Sequence, residues 1–187
     1  MQGAVAKALE HDSVSAVVLV EGISDRGAVE ALAARHGRDL AAEGVSVVPM
    51  GGAQAIGRFL AHYGPAGLDV RLAGLCDAGE ERQVRRAFER AGLDQLAVFV
   101  CKTDLEDELI RALGAERVLQ VVEAEGDLRA FRTLQNEPAW RRRPVEAQLH
   151  RFMGSGGRRK TRYAPLFVRT LELREIPRPL EGLLAHL

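Results

Sequence analysis

The feature that most constrains this chain is its alternation of short apolar runs with helix-length stretches, three of those runs giving way to acids. Ala16-Val17-Val18-Leu19-Val20 stops on Glu21, after which Gly22 permits a tight turn, Ser24 can cap a helix and Asp25 falls in that helix's first turn. Val70 to Cys76 stops on Asp77, and Leu96 to Cys101 gives way to Thr103-Asp104-Leu105-Glu106-Asp107-Glu108. A strand apolar on both faces belongs inside a parallel sheet, whose carboxyl ends are where ligands collect. Two carboxylates as close as Glu21 and Asp25 repel each other unless a proton or a divalent cation lies between them.

The alternation predicts strands over 16–21, 45–49, 70–76 and 96–101, and helices over 24–36, 52–62, 80–91 and 104–113. Four such βα units imply a parallel sheet with right-handed crossovers and helices on both faces. A short amphipathic helix is expected over 2–10. Beyond 114 the pattern is helical, over 115–123, 127–134, 144–152 and 159–173, with Gly154-Ser155-Gly156-Gly157 as a flexible break and Pro177 and Pro179 ending the last helix. The expected organisation is a core over 1–113 and a basic helical extension over 114–187 that packs on it.

At 187 residues and 47% hydrophobic content the chain can bury one good core. It holds no run approaching the ~18 to 20 apolar residues of a membrane span and no signal-peptide pattern, which points to a cytoplasmic protein. Cys76 and Cys101, at strand ends, fit buried reduced thiols, and neither has the neighbours a zinc site requires. Formal charge is zero but segregated: residues 129–174 carry 12 Lys or Arg against 3 Asp or Glu, leaving 14 against 23 elsewhere. An acidic half joined to a basic one suits a metal-dependent enzyme acting on a polyanion, and equally a helical appendage packed on an acidic domain.

Each constellation has a plainer alternative. Glu21 could end a strand in solvent while Asp25 complements a helix dipole. Thr103-Asp104-Leu105-Glu106 fits a capping box with Thr103 as N-cap, so Glu106 could serve its own helix rather than a metal. Pro49-Met50-Gly51-Gly52 could let a phosphate approach a helix N-terminus, or be an ordinary turn. Arg158, Arg159, Lys160 and Arg162 could lie on DNA phosphates, with Lys160 near the cleaved one, or form a solvated helix face. Trp140 with Arg141, Arg142 and Arg143 could stack on a base or grip backbone, or be a buried indole beside an exposed basic turn. The five histidines are dispersed without ligand spacing, and no nucleophilic triad is visible.

Taken together, Val-Glu-Gly-Ile-Ser-Asp-Arg, the aspartate ending the third strand and Thr-Asp-Leu-Glu-Asp-Glu-Leu resemble the TOPRIM domain of the OLD (overcoming lysogenization defect) family of endonucleases. The likeness spans about residues 14 to 113, and Gly-Arg-Arg-Lys-Thr-Arg-Tyr-Ala extends it toward 170. It implies an α/β, Rossmann-like fold: a central four-stranded, mainly parallel sheet flanked by helices, with a C-terminal helical extension. It further implies that Glu21, Asp25, Asp77 and Glu106 bind two Mg²⁺ or Mn²⁺ ions for phosphodiester cleavage in DNA, with Lys160 near the scissile phosphate. The family's second motif has another acid two residues after the first, where this chain has Gly79, so Glu80 or Glu81 would have to compensate. Full-length members carry an ATPase domain ahead of this region. No Gly-x-x-x-x-Gly-Lys-Ser/Thr loop occurs here, so a stand-alone protein or one with a separate ATPase partner is expected.

The leading expectation is therefore a metal-dependent DNA endonuclease. Hard oxygen ligands favour Mg²⁺ or Mn²⁺ over zinc, one ion activating water and the other stabilising the leaving oxygen. The rivals are a primase-like nucleotidyl transferase on the same scaffold, and a non-catalytic metal- or nucleic-acid-binding module that regulates a partner ATPase. Oligomeric state, cleavage specificity and pathway are left open.

Overall fold

A computed structural model gives the fold and describes residues 14–156 and 158–187. The helix expected over 2–10 lies outside the described residues. Four strands, β1 (Ala16–Val20), β2 (Val45–Pro49), β3 (Arg71–Asp77) and β4 (Val98–Cys101), form one sheet in the order β2-β1-β3-β4. Every pairing is parallel, with Val18 opposite Val47 and Ala73, and Asp77 opposite Cys101. β1 is central, and Val17 to Val20 are wholly buried. Burial of that kind stabilises by roughly 1.5–3 kcal/mol per side chain, which fixes β1 as the sheet's keel.

The crossovers are α1 (Ile23–Arg35), α2 (Ile56–Tyr63) and α3 (Glu81–Arg90). Because side chains alternate along a strand, β1 feeds two cores. Val17 and Leu19 join Ile56, Leu60, Val84 and Phe88 beneath α2 and α3. Val18 and Val20 face α1 and the C-terminal helices: α4 (Leu105–Ala124), α5 (Leu128–Asn136), α6 (Val145–Gly154), α7 (Arg159–Thr170) and α8 (Arg178–His186). Phe131, Phe152, Tyr163, Phe167 and Leu183 belong to that same continuous core. α4 kinks at Gly114, whose φ of 74° and ψ of 154° break the helix where the sequence pattern divides it. α7 lies along α1, with Pro165 against Gly27 and the Arg35 guanidinium donating to the Val168 carbonyl at 2.7 Å.

Three local expectations are corrected. β4 begins at Val98, not 96: a 3₁₀ turn over Gln95–Ala97 precedes it, its N-cap Asp94 accepts from the Leu96 amide, and Leu96 is 80% exposed. α7 ends at Thr170. Pro177 and Pro179 do not close that helix but open α8, where the first-turn amides have no helical partner to lose. Among the described residues no helix is long and apolar enough to cross a membrane.

Candidate metal centre

Parallel strands finish at one edge, so the acids that follow them gather there. Glu21 follows the end of β1, Asp77 is the last residue of β3, and Asp104 caps α4 just beyond β4. Asp25, in the first turn of α1, accepts the Gly22 amide through Oδ2 at 2.7 Å, leaving its other oxygen free of that duty. Behind Glu21, the Gly51 and Gly52 amides both donate to the Glu21 carbonyl, at 3.0 and 3.3 Å. Their φ values of 74° and 113° suit glycine. Of the two readings of this turn, the ordinary one forms: its amides hold the first motif's backbone and are not open to a phosphate.

The carboxylates feel one another. Burial, followed by the charges of Glu106 and Glu21, pushes Asp25 up from 3.8 to about 7 against the lowering effect of the Gly22 bond. Asp77 also rises to about 7, through burial and then the charges of Glu21, Asp104, Asp25 and Glu106. Glu80 is raised by burial, by the Glu21 charge and by a hydrogen bond shared with Glu21. Glu106 is 4% exposed, and its Oε1, like Oε2 of Glu80, is buried without a hydrogen-bond partner. A buried carboxylate oxygen without a donor is costly, and only hard oxygens are present to answer it. The set therefore suits a divalent cation of the Mg²⁺ or Mn²⁺ type. Among the described residues no three His, Cys, Asp or Glu side chains stand close enough together to hold a metal ion; the acids share a field without converging on a point.

Glu106 does not cap its helix, contrary to the capping-box alternative. Asp104, not Thr103, is the N-cap and accepts the Asp107 amide at 2.8 Å. Glu106 turns inward instead and receives Lys160 Nζ on Oε2 at 3.0 Å. Burial alone would lower the Lys160 ammonium, but the Glu106 charge and hydrogen bond outweigh it and hold the lysine more firmly protonated. The basic helix thus reaches the acidic rim from α7, across 54 residues of sequence.

Two of its neighbouring arginines make contacts within the chain. Arg162 binds the carboxylate and carbonyl of Glu125, both at 2.7 Å, and Arg159 stacks its guanidinium 3.9 Å from the Phe152 ring centroid and bonds Ser155. Both tie the start of α7 to neighbouring helices, and Arg158 alone of the three stands exposed without an ion pair among the described residues. Sequence reasoning missed His150, whose Nε2 lies 2.7 Å from Asp104 Oδ2. That bond raises the imidazole, while His150 and the Asp107 amide together overcome burial and lower Asp104. Helix α6 gives no ligand-like spacing, so only tertiary packing reveals the pair. Cys76 and Cys101 are buried, and burial lifts both thiols, Cys76 to about 12. Away from the rim, a hollow runs along the free edge of β2, from Val45 to Pro49.

The sheet is parallel throughout, and Glu21, Asp77 and Asp104 lie along its carboxyl edge. Residues 14–78 match the family described as overcoming lysogenization defect protein-like, TOPRIM domain. The C-terminal region of the Burkholderia pseudomallei OLD protein superposes with a TM-score of 0.71 at 20% identity, over 92% of this chain and 96% of that one. Two structures of the C-terminal region of the Xanthomonas campestris pv. campestris OLD protein give 0.70 at 26% identity, over 92% and 91%, and 0.71 at 24%, over 94% and 95%. No curated protein matches the chain. Residues 14–78 thus match the OLD-like TOPRIM family, and the chain has the fold of the C-terminal region of OLD proteins.

Proposed function

We propose that this chain is a divalent-metal-dependent nuclease that hydrolyses phosphodiester bonds in DNA. The observation that carries the reading is Glu106: a buried carboxylate with one oxygen orphaned and the other on Lys160, in the same field as Glu21, Asp25 and Asp77. Glu21, Asp25, Asp77 and Glu106 would hold Mg²⁺ or Mn²⁺, with Glu80 supplying the oxygen that Gly79 cannot. Two such ions would neutralise phosphate charge and provide an activated water. The chain's own contribution is positional. α1 and α7 present Asp25 and Lys160 from paired helices, and the two glycine amides pin Glu21. Lys160, half exposed beside the rim, would meet the charge that builds on a cleaved phosphate.

Both Asp25 and Asp77 titrate near neutrality, so cation binding would release protons and strengthen as pH rises. Glu21→Ala and Asp77→Ala should abolish nicking of supercoiled plasmid in Mn²⁺ while leaving the circular dichroism spectrum unchanged. Retained cleavage in either variant would refute the assignment. Gly79 favours a second reading, a module that binds one ion and acts through a partner ATPase. Calorimetry with Mn²⁺ separates them: two sites with turnover support the nuclease, one weak site without turnover the module.

A further inference from the structure

We propose that the loop joining α5 to α6, with Arg141, Arg142 and Arg143, together with Arg151 of α6, is the surface that tracks the phosphate backbone of duplex DNA. Arg159 and Arg162 are already engaged by Phe152, Ser155 and Glu125, which leaves the free guanidinia of this face elsewhere. All four arginines of the proposed surface are exposed, and none makes an ion pair among the described residues. Glu137 and Glu146 are the only acids between Asp127 and Glu172, so the patch is strongly positive.

The loop is also built. Gln148, only 5% exposed, donates through Nε2 to the carbonyls of Trp140 at 2.9 Å and Arg143 at 3.0 Å, and accepts from Gln135 at 2.7 Å. A buried amide costs free energy unless its hydrogen bonds are met, and here every one serves to shape an arginine-bearing turn. The Arg143 amide donates to the Trp140 carbonyl at 2.9 Å, and the Arg151 guanidinium lies 5.9 Å from the Trp140 ring centroid, joining loop and helix. Guanidinia held on a fixed turn lose little freedom on meeting phosphates.

Position supports the choice of partner. α6 carries His150 against Asp104 at the acidic rim, and its first residue, Val145, lies about 8 Å along the axis from His150 at 1.5 Å per residue. That span equals two to three nucleotides at ~3.4 Å per strand step. A duplex lying along α6 with one phosphate at the rim would bring its neighbouring phosphates toward the arginine turn. The inference rests on the nucleic-acid reading above for its choice of polyanion, but not on catalysis.

The test is fluorescence anisotropy of a labelled duplex in EDTA, where no cleavage occurs, with the full chain and its Arg141→Ala/Arg142→Ala/Arg143→Ala variant. Loss of about three phosphate contacts should lower the slope of log K against log salt by about 3 and weaken binding at least about tenfold at low salt. Gln148→Leu, which keeps every charge but frees the turn, should weaken binding less and leave the slope nearly intact. Wild-type affinity and slope in the triple variant would overturn the proposal, as would failure of the wild type to bind duplex. Equal affinity for polyglutamate would overturn it in favour of an acidic protein partner. If the triple variant loses DNA while the wild type never cleaves in Mn²⁺, this surface stands and the nuclease reading falls. If the variant still binds while the wild type cleaves, the reverse holds.

Discussion

The acidic rim makes a quantitative claim about stability in the absence of metal. Asp25 is lifted from 3.8 to about 7 in the folded chain. The folded state therefore binds more protons than the unfolded state between those values, and stability falls as pH rises through that window. At 1.36 kcal/mol per unit, the full excursion corresponds to about 4 kcal/mol. Asp77 makes a similar excursion from a half-buried position, where solvent screens it. Each carboxylate is also part of the reason for the other's shift, so the two do not add. The expected loss between pH 5 and pH 8 is about 2–4 kcal/mol, or roughly 1–2 M in urea midpoint for a slope of about 2 kcal/mol/M. His150, raised by Asp104, contributes in the same sense. Asp104, lowered, acts in the opposite sense and mainly below this window. Urea titrations in EDTA at both pH values measure the loss. Mn²⁺ should erase it, because a cation replaces the protons, and Asp25→Asn/Asp77→Asn should flatten most of it. A metal-free midpoint that does not fall between pH 5 and pH 8 would refute the reasoning.

Two further outcomes follow from single contacts. Lys160→Ala leaves Glu106 buried without its counter-charge and should cost about 1–3 kcal/mol at pH 8, read from the urea midpoint, with cleavage reduced ~100-fold or more. A Cβ at Gly79 meets nothing within 4 Å, so Gly79→Asp is sterically free. That substitution should tighten Mn²⁺ binding by calorimetry and lower the Mn²⁺ concentration needed for half-maximal nicking.

Much of the fold was legible because periodicity and burial agree. Val17 to Val20 can only be a two-faced buried strand, and the acid that ends such a strand must appear at the sheet's carboxyl edge. Glu21 and Asp77 were therefore readable as a pair before any coordinates. The N-terminus of α4 was not, because Thr103 and Asp104 are both good caps and the choice depends on where β4 releases the chain. The contacts of the α7 arginines were hidden for a related reason. Charge in sequence says nothing about whether a carboxylate such as Glu125 waits nearby. His150 was invisible because its partner lies 46 residues away. Pro177 and Pro179 are compatible with either the end of one helix or the start of another, and only the packing of Leu180, Leu183 and Leu184 decides.

The contact between Lys160 and Glu106 has a consequence for how such a pocket comes into being. An acidic cavity that depended on a cation for its neutrality would have to fold around one, or wait unfolded until one arrived. Here an ammonium from a distant helix answers the charge of Glu106, so the acidic rim can assemble without waiting for a cation. On the proposed reading, an arriving ion would take over a place already prepared for it and leave the lysine facing whatever anion comes next.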